Sequence, residues 1–342
     1  MKTASVKEPG VISIHDVETP HLSSGDILVQ MESCGICGSD LEKVYGHYGQ
    51  PSMRLGHEPA GIVLDVGSDV TQFKKGDRVF THHHVPCYDC HLCNHGNETM
   101  CAKYYETNLS PCGLSEKYVV PSWNVSHGGV LKISDQTSFQ EAAMIEPLAC
   151  CVRAWTKFDY KEGDSAAIFG VGPTGMMHMM LAHAKKFSKI FCFDVNEFRL
   201  DFAKKFNITK SINSMDVNRK QKILDYTNGL GVDVAIVSTS SLNALDDAIG
   251  MVRKGGSVMM FGVPSKDAMI NLDMSLVYSK EITLVTSYAA SDKDTAEALN
   301  LIESSQINVD QLITHTYSIN NSQKAFDHAR TGDNAMKIII TK

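Results

Sequence analysis

Cys87, Cys90, Cys93 and Cys101 form a C-x2-C-x2-C-x7-C run inside HHHVPCYDCHLCNHGNETMC. Four thiolates spaced this way can close a tetrahedron around one zinc ion, at about 2.3 Å per bond. Such a set leaves no coordination position open, so the expectation is a structural ion that braces a loop. Two further islands carry ligand types: Gly35-Ile36-Cys37-Gly38-Ser39-Asp40 and Gly56-His57-Glu58-Pro59-Ala60-Gly61. A zinc that does chemistry takes three protein ligands of N, S or O type and keeps one position for substrate. Cys37 offers a thiolate and His57 an imidazole. The third ligand is open between Glu58 and Glu146, the latter in Glu146-Pro147-Leu148-Ala149.

A second chemistry is written further along. Gly170-Val171-Gly172-Pro173-Thr174-Gly175 follows an apolar strand and opens a helix, the setting in which GxGxxG binds a dinucleotide. Gly170 permits the tight turn, Gly172 lets backbone approach a pyrophosphate, and Gly175 lets the helix pack closely. The helix N-terminus supplies free N–H groups to the phosphates. Asp194 ends the next strand, where its carboxylate is placed to accept from the ribose hydroxyls and repel a 2′-phosphate. NAD is therefore expected over NADP, although Arg199 nearby is a side chain that tolerates a phosphate. Val263 completes the set of coenzyme candidates. Met176, Met177, Met179 and Met180 read as core packing.

The elements that must position these groups change character along the chain. Up to about Phe139, short apolar segments such as 26–31, 60–66 and 76–80 are bounded by Gly, Pro and Asp. They predict an all-β, partly open barrel with little helix. From Gly163, strands (166–169, 190–194, 232–237, 256–261) alternate with helices (174–186, 199–206, 243–253), which predicts a parallel, doubly wound sheet. Beyond about Tyr288 a helix (295–302) and a terminal strand (337–341) are expected to return to the first domain. The predicted division is 1–146 with 289–342, and 147–288.

With 342 residues the chain is long enough for two cores, at 43% hydrophobic and 21% charged residues. A net charge of −7 without a basic stripe argues against nucleic acid, and no apolar run reaches the length of a membrane span. MKTASVKEPG has no apolar signal core. Ten cysteines, four of them in a metal pattern, read as reduced thiols, and the expectation is a cytoplasmic protein. Cys34 makes a C-x-x-C with Cys37 but lacks a thioredoxin-like context and reads as packing. His82-His83-His84 read as solvated or hydrogen-bonded rather than as a third metal site.

GICGSD, GHEPAG, the four-cysteine lobe, EPLA, GVGPTG and the closing LITH…KIII together resemble the zinc-containing medium-chain dehydrogenase/reductase (alcohol dehydrogenase) family over essentially the whole chain. GHEPAG and EPLA are closer to its sorbitol and threonine dehydrogenase branch. The resemblance implies a GroES-like catalytic domain, a Rossmann coenzyme domain and an active site in the cleft between them. It also implies a homo-oligomer, with a tetramer favoured. Cys37 and His57 stand where family members bind catalytic zinc, and Glu58 and Glu146 can each occupy the zinc or its water. Cys150 and Cys151 do not fit the third-ligand position. A histidine often found five positions after the zinc cysteine is Glu42 here, so Glu42 or His47 is the candidate for passing protons to solvent.

The implied chemistry is hydride transfer between a secondary alcohol or polyol and the nicotinamide, with zinc polarising the alcohol oxygen and Ser39 accepting its proton. The alternative is the same site working as an aldehyde or semialdehyde reductase. A binding protein that keeps the fold without catalysis is disfavoured, because every expected ligand is present. Tyr45, His47, Tyr105 and Arg153 are candidates for the pocket wall.

Overall fold

In the computed structural model, which describes residues 1–46 and 54–342, the turn-bounded apolar segments of the N-terminal part pair into two sheets. β1 (Lys2–Glu8) and β2 (Val11–Asp16) form an antiparallel pair. β3 (Ile27–Gly35), β4 (Glu58–Val66), β5 (Arg78–Thr81), β6 (Lys117–Val120) and β7 (Val130–Lys132) belong to the larger sheet. The coenzyme-motif region supplies β8 (Ser165–Phe169), β9 (Lys189–Asp194), β10 (Lys210–Asn213), β11 (Val232–Val237), β12 (Val252–Met260) and β13 (Thr283–Thr286). Finally β14 (Ile313–Ser318) and β15 (Lys337–Thr341) complete the larger sheet, whose order is β14-β15-β3-β4-β5-β7.

The chain divides into two units, Met1–Ala149 with Ala289–Lys342, and Cys150–Tyr288. In the first, β3 is the organising strand. β4 runs antiparallel along its whole length, while its other edge is shared: Ile27–Gln30 pair with β6 and Ser33–Gly35 with β15. Alternate residues Ile27, Val29 and Met31 are fully buried, each worth roughly 1.5–3 kcal/mol of transfer free energy. From Ser33 on, every β3 residue is buried. That buried end leads straight into Cys37.

The second unit is one parallel sheet of order β10-β9-β8-β11-β12-β13. Strands progress outward from β8 in one direction and from β11 in the other, so the order reverses between these two. Open α/β sheets bind ligands at the carboxyl ends of the strands flanking such a point. The core pairs Phe169 and Phe193, stacked at 4.5 Å, with Ala167, Ala235 and Val237. The helix Pro173–Ala184 is buried on nearly all sides, and Met176, Met177 and Met179 have no exposed surface.

Two local features were not read from the sequence. The N-terminal part holds little helix, as expected, but Gly38–Tyr45 is helical. At eight residues with three charges it shows too little apolar periodicity to read from sequence. β10 and β13, four residues each, were likewise not among the expected strands.

Candidate active site

Glu58 begins β4 and Lys337 begins β15, the two strands flanking the end of β3. The strand between them offers Gly35, paired with Glu58 on one side and Ile339 on the other. A Cβ at Gly35 would overlap the Glu58 carboxylate and lie 2.9 Å from Lys337 Cε. Glycine there leaves room for Lys337 Nζ to cross the strand and reach Glu58 Oε2 at 2.5 Å. Both side chains are buried, with side-chain exposures of 3% and 0%.

Cys37 ends the approach and caps the helix Gly38–Tyr45, its carbonyl accepting from the amides of Asp40 and Leu41. Asp40, fully buried in the first turn, lies 3.2 Å from His57 Nδ1 and accepts from the Gly56 amide at 3.3 Å. A carboxylate on one ring nitrogen fixes the imidazole and leaves the other to a metal. His57 Nε2 is 4.0 Å from Glu146 Oε2. Ligand atoms of Cys37, His57 and Glu58 lie within 4.8 Å of one another, a set that a single ion can bridge.

The electrostatics of this cluster call for a cation. Burial works against a charge on His57, yet the Asp40 carboxylate and Cys37 sulfur outweigh it and raise the imidazole well above its ordinary value. Asp40 moves the opposite way: burial disfavours its charge, but His57 and Lys43 hold the carboxyl well below its usual range. Burial likewise opposes the Lys337 ammonium, which Glu58 and Cys37 nevertheless keep charged. Glu58 Oε1 is buried without a hydrogen-bond partner, a costly state for a carboxylate oxygen unless an ion takes it up. Thiolate, imidazole and carboxylate at this spacing fit zinc.

The four-cysteine lobe is separate. Sulfur–sulfur distances of 3.5 Å (Cys87–Cys101), 3.6 Å (Cys90–Cys93) and 4.0 Å (Cys87–Cys93) are far beyond a disulfide. They match the edge of about 3.8 Å that a tetrahedron of 2.3 Å zinc–sulfur bonds requires. The Cys90 amide points at Cys87 Sγ (3.3 Å), and the amides of Asp89 and Cys90 help bring that thiol down to about 6. Burial and the neighbouring thiols push Cys93 up to about 12. Without a cation, then, Cys93 resists the thiolate form, and four sulfurs converging at these distances fit zinc. Replacing Cys90 by serine is expected to remove one zinc per chain and lower the thermal midpoint by on the order of 10 °C. Metal analysis and calorimetry check this, and a Cys90→Ser protein with full metal content and stability contradicts it.

A partly buried chain of hydrogen bonds ties this lobe to the strand end beside His57. Tyr88, in the lobe, donates to Asp292 Oδ2 at 3.0 Å, and Asp292 Oδ1 meets His82 Nδ1 at 3.0 Å. His82 is fully buried, His84 bonds through Nδ1 to the Thr107 carbonyl at 2.7 Å, and the His83 ring lies 5.1 Å from that of His57. The reading of these histidines as hydrogen-bonded holds for His82 and His84; none is fully solvated.

In the other unit the glycine-rich turn has the expected form. Gly170 adopts a left-handed φ of +85°, and a Cβ at Gly175 would overlap the Gly170 carbonyl. A Cβ at Gly172 would meet only the Arg199 guanidinium, at 3.5 Å, so space stands open above this glycine. Pro173 opens the helix, and Thr174 Oγ1 bonds Ser238 Oγ at 2.9 Å. Asp194 lies beside the turn, accepting from the amides of Val171 (2.8 Å), Val195 (2.8 Å) and Asn196 (2.9 Å). A carboxylate has about four acceptor sites, so capacity remains for a ribose hydroxyl. Arg199 Nε is buried without a partner, and Val263 is exposed beyond β12. Backbone amides at a helix start, open space and a nearby acid fit a dinucleotide.

Ser39 is exposed on the first turn after Cys37, while Glu42 is exposed with its carboxylate folded against Gly46. His47 lies outside the described residues. Of the pocket-wall candidates, Tyr45 donates to Asp327 Oδ1 at 2.8 Å, Tyr105 is half exposed beside His84, and Arg153 is buried in the second unit. Cys34 is buried inside β3. Asp40, Lys337, Tyr88 and Asp292 were not singled out from sequence. Asp40 is the last residue of GICGSD and was within reach, whereas nothing near Lys337 marks its partner 279 positions away.

Residues 23–133 match the family described as alcohol dehydrogenase GroES-like domain, and residues 173–304 match zinc-binding dehydrogenase. Sorbitol dehydrogenase of Bacillus subtilis is 30% identical over 99% of this chain and 97% of its own length. A probable D-xylulose reductase A of Aspergillus clavatus is 31% identical over 95% of this chain and 91% of its own. Among solved structures, an Escherichia coli oxidoreductase/dehydrogenase of unknown specificity involved in membrane biogenesis superposes with a TM-score of 0.88 at 26% identity, covering 100% of this chain and 99% of that one. The two units are thus GroES-like and Rossmann-type, and zinc with a nicotinamide coenzyme are the cofactors they serve. The chain belongs to the zinc-containing medium-chain dehydrogenase/reductase family, the alcohol dehydrogenases.

Proposed function

We propose that this enzyme oxidises a secondary alcohol of a polyol or sugar alcohol with NAD, using two zinc ions per chain. The observation that carries the reading is the convergence of Cys37, His57 and Glu58, with a partnerless Glu58 oxygen, in a chain related end to end to a sorbitol dehydrogenase. Cys37, His57 and Glu58 would hold the catalytic ion, with Glu146 near His57 Nε2 as the acid on its open side. Glu58 is preferred to Glu146 as third ligand because it belongs to the 4.8 Å set. Cys87, Cys90, Cys93 and Cys101 would hold the structural ion.

When bound, zinc supplies Lewis acidity at the alcohol oxygen and NAD supplies the hydride acceptor. The chain's own residues do the rest. Asp40 orients His57, Lys337 balances the charge of Glu58, and Ser39 takes the hydroxyl proton toward solvent. The amides after Gly172 receive the pyrophosphate with Arg199 above them, and Asp194 accepts from ribose, which supports NAD over NADP. Met1–Ala149 with Ala289–Lys342 is accordingly the catalytic unit and Cys150–Tyr288 the coenzyme unit. The relative named as a xylulose reductase supports the same site working on a ketose in the reductive direction. A tetramer is proposed from the family resemblance, and a cytoplasmic location from ten cysteines that are all thiols.

The test is NADH formation across sorbitol, xylitol, threonine and simple secondary alcohols, with and without a zinc chelator. Chelator-sensitive turnover strongest on the polyols is expected. Silence on polyols in both directions, with turnover of semialdehydes by NADH or NADPH, refutes the polyol assignment.

A further inference from the structure

His83 is the one member of the histidine run whose ring nitrogens have no protein partner. His82 and His84 are anchored through Nδ1 on Asp292 and on the Thr107 carbonyl. His83 has neither kind of anchor: Nδ1 is buried without a hydrogen bond, and none reaches Nε2 among the described residues. Yet the residue is firmly held. Its carbonyl accepts from Asn124 Nδ2 at 3.1 Å and Thr107 Oγ1 at 3.2 Å, and its ring packs between His84 at 4.0 Å and His57 at 5.1 Å. A polar ring held in place with no protein partner on either nitrogen calls for a reason. Nδ1 is fully enclosed, whereas Nε2 is neither hydrogen-bonded nor fully enclosed, so Nε2 is the nitrogen left to meet a ligand, on a ring 5.1 Å from that of the proposed zinc ligand His57.

We infer that His83 is a specificity-determining residue, hydrogen-bonding through Nε2 to the hydroxyl on the carbon next to the one being oxidised. This rests on the polyol reading and deepens it: the site selects vicinal diols over monohydric alcohols. A site that hydrogen-bonds a substrate hydroxyl discriminates against the analogue lacking it, because its polar group is then left unpaired.

The test compares kcat/KM for butane-2,3-diol and butan-2-ol, a pair differing by that hydroxyl, in the wild type, His83→Phe and His83→Asn. The expected result is a diol-to-monoalcohol ratio that falls about 10- to 100-fold in His83→Phe and is largely restored in His83→Asn, at equal zinc content. Calorimetric titration of the diol onto each zinc-loaded protein with NADH present should give the same order of affinities. A merely structural role would lower both rates and leave the ratio in place, so an unchanged ratio overturns the inference. A wild type without any preference for the diol overturns the polyol reading, and the inference falls with it.

Discussion

The Cys37→Ala enzyme is expected to lose turnover by about a thousandfold or more while keeping its fold, its four-cysteine ion and its affinity for NADH. The sulfur stands at the exit of the central strand, where the chain leaves the sheet and turns into a helix. Removing it leaves His57 and Glu58 as the only two members of the 4.8 Å set, too few for a site that needs three protein ligands. Lewis-acid stabilisation of developing charge is worth several kcal/mol, and each 1.36 kcal/mol is tenfold in rate. The fold should survive because Cys37 is only half-buried and the strands of its sheet do not depend on it. NADH fluorescence enhancement should be unchanged, since the coenzyme residues belong to the other unit. Single-turnover kinetics with metal analysis checks this, and normal turnover at one zinc per chain would show that the chemistry lies elsewhere.

Lys337→Met is the substitution expected to cost most in stability. Its ammonium is, among the described residues, the cation bonded to Glu58, and both side chains are buried where they meet across Gly35. Removing one partner of a buried pair strands the other charge, at about 3–5 kcal/mol. For the zinc-free protein that corresponds to a midpoint lower by on the order of 10 °C. Zinc should recover part of the loss, because a bound cation faces the same carboxylate. The double variant Lys337→Met, Glu58→Gln leaves no unpaired charge and should be more stable than Lys337→Met alone, a coupling that a double-mutant cycle reads directly. A Lys337→Met protein as stable as wild type would mean that the pair is not what balances Glu58.

What was legible in the sequence was what is local. The four cysteines lie within fifteen positions and one lobe, so their spacing reports their geometry directly. GHEPAG places His57 and Glu58 side by side at the head of a strand, and the alternation after Gly163 maps strand for strand onto the central part of the parallel sheet. What depends on tertiary pairing was hidden. The closeness of Glu58 to Gly35 turns on β4 registering against β3, and the Lys337–Glu58 pair on β15 returning to that strand. The fully buried His82 reads from sequence like its neighbours, because its partner Asp292 is 210 positions away. The eight-residue helix after Cys37 was missed for a different reason: its apolar face is two turns long and packs against β1 and the helix Ser322–Thr331, the latter distant in sequence.

The central claim is that one ion binds at Cys37, His57 and Glu58 and a second at the four cysteines. An anomalous difference map, collected at the zinc absorption edge on crystals grown with zinc, tests it most directly. Two peaks per chain are predicted, one bonded to Cys87, Cys90, Cys93 and Cys101, the other about 2.0–2.3 Å from Cys37 Sγ, His57 Nε2 and a Glu58 oxygen. A single peak at the four cysteines, or a second peak that engages neither Cys37 nor His57, would contradict the account.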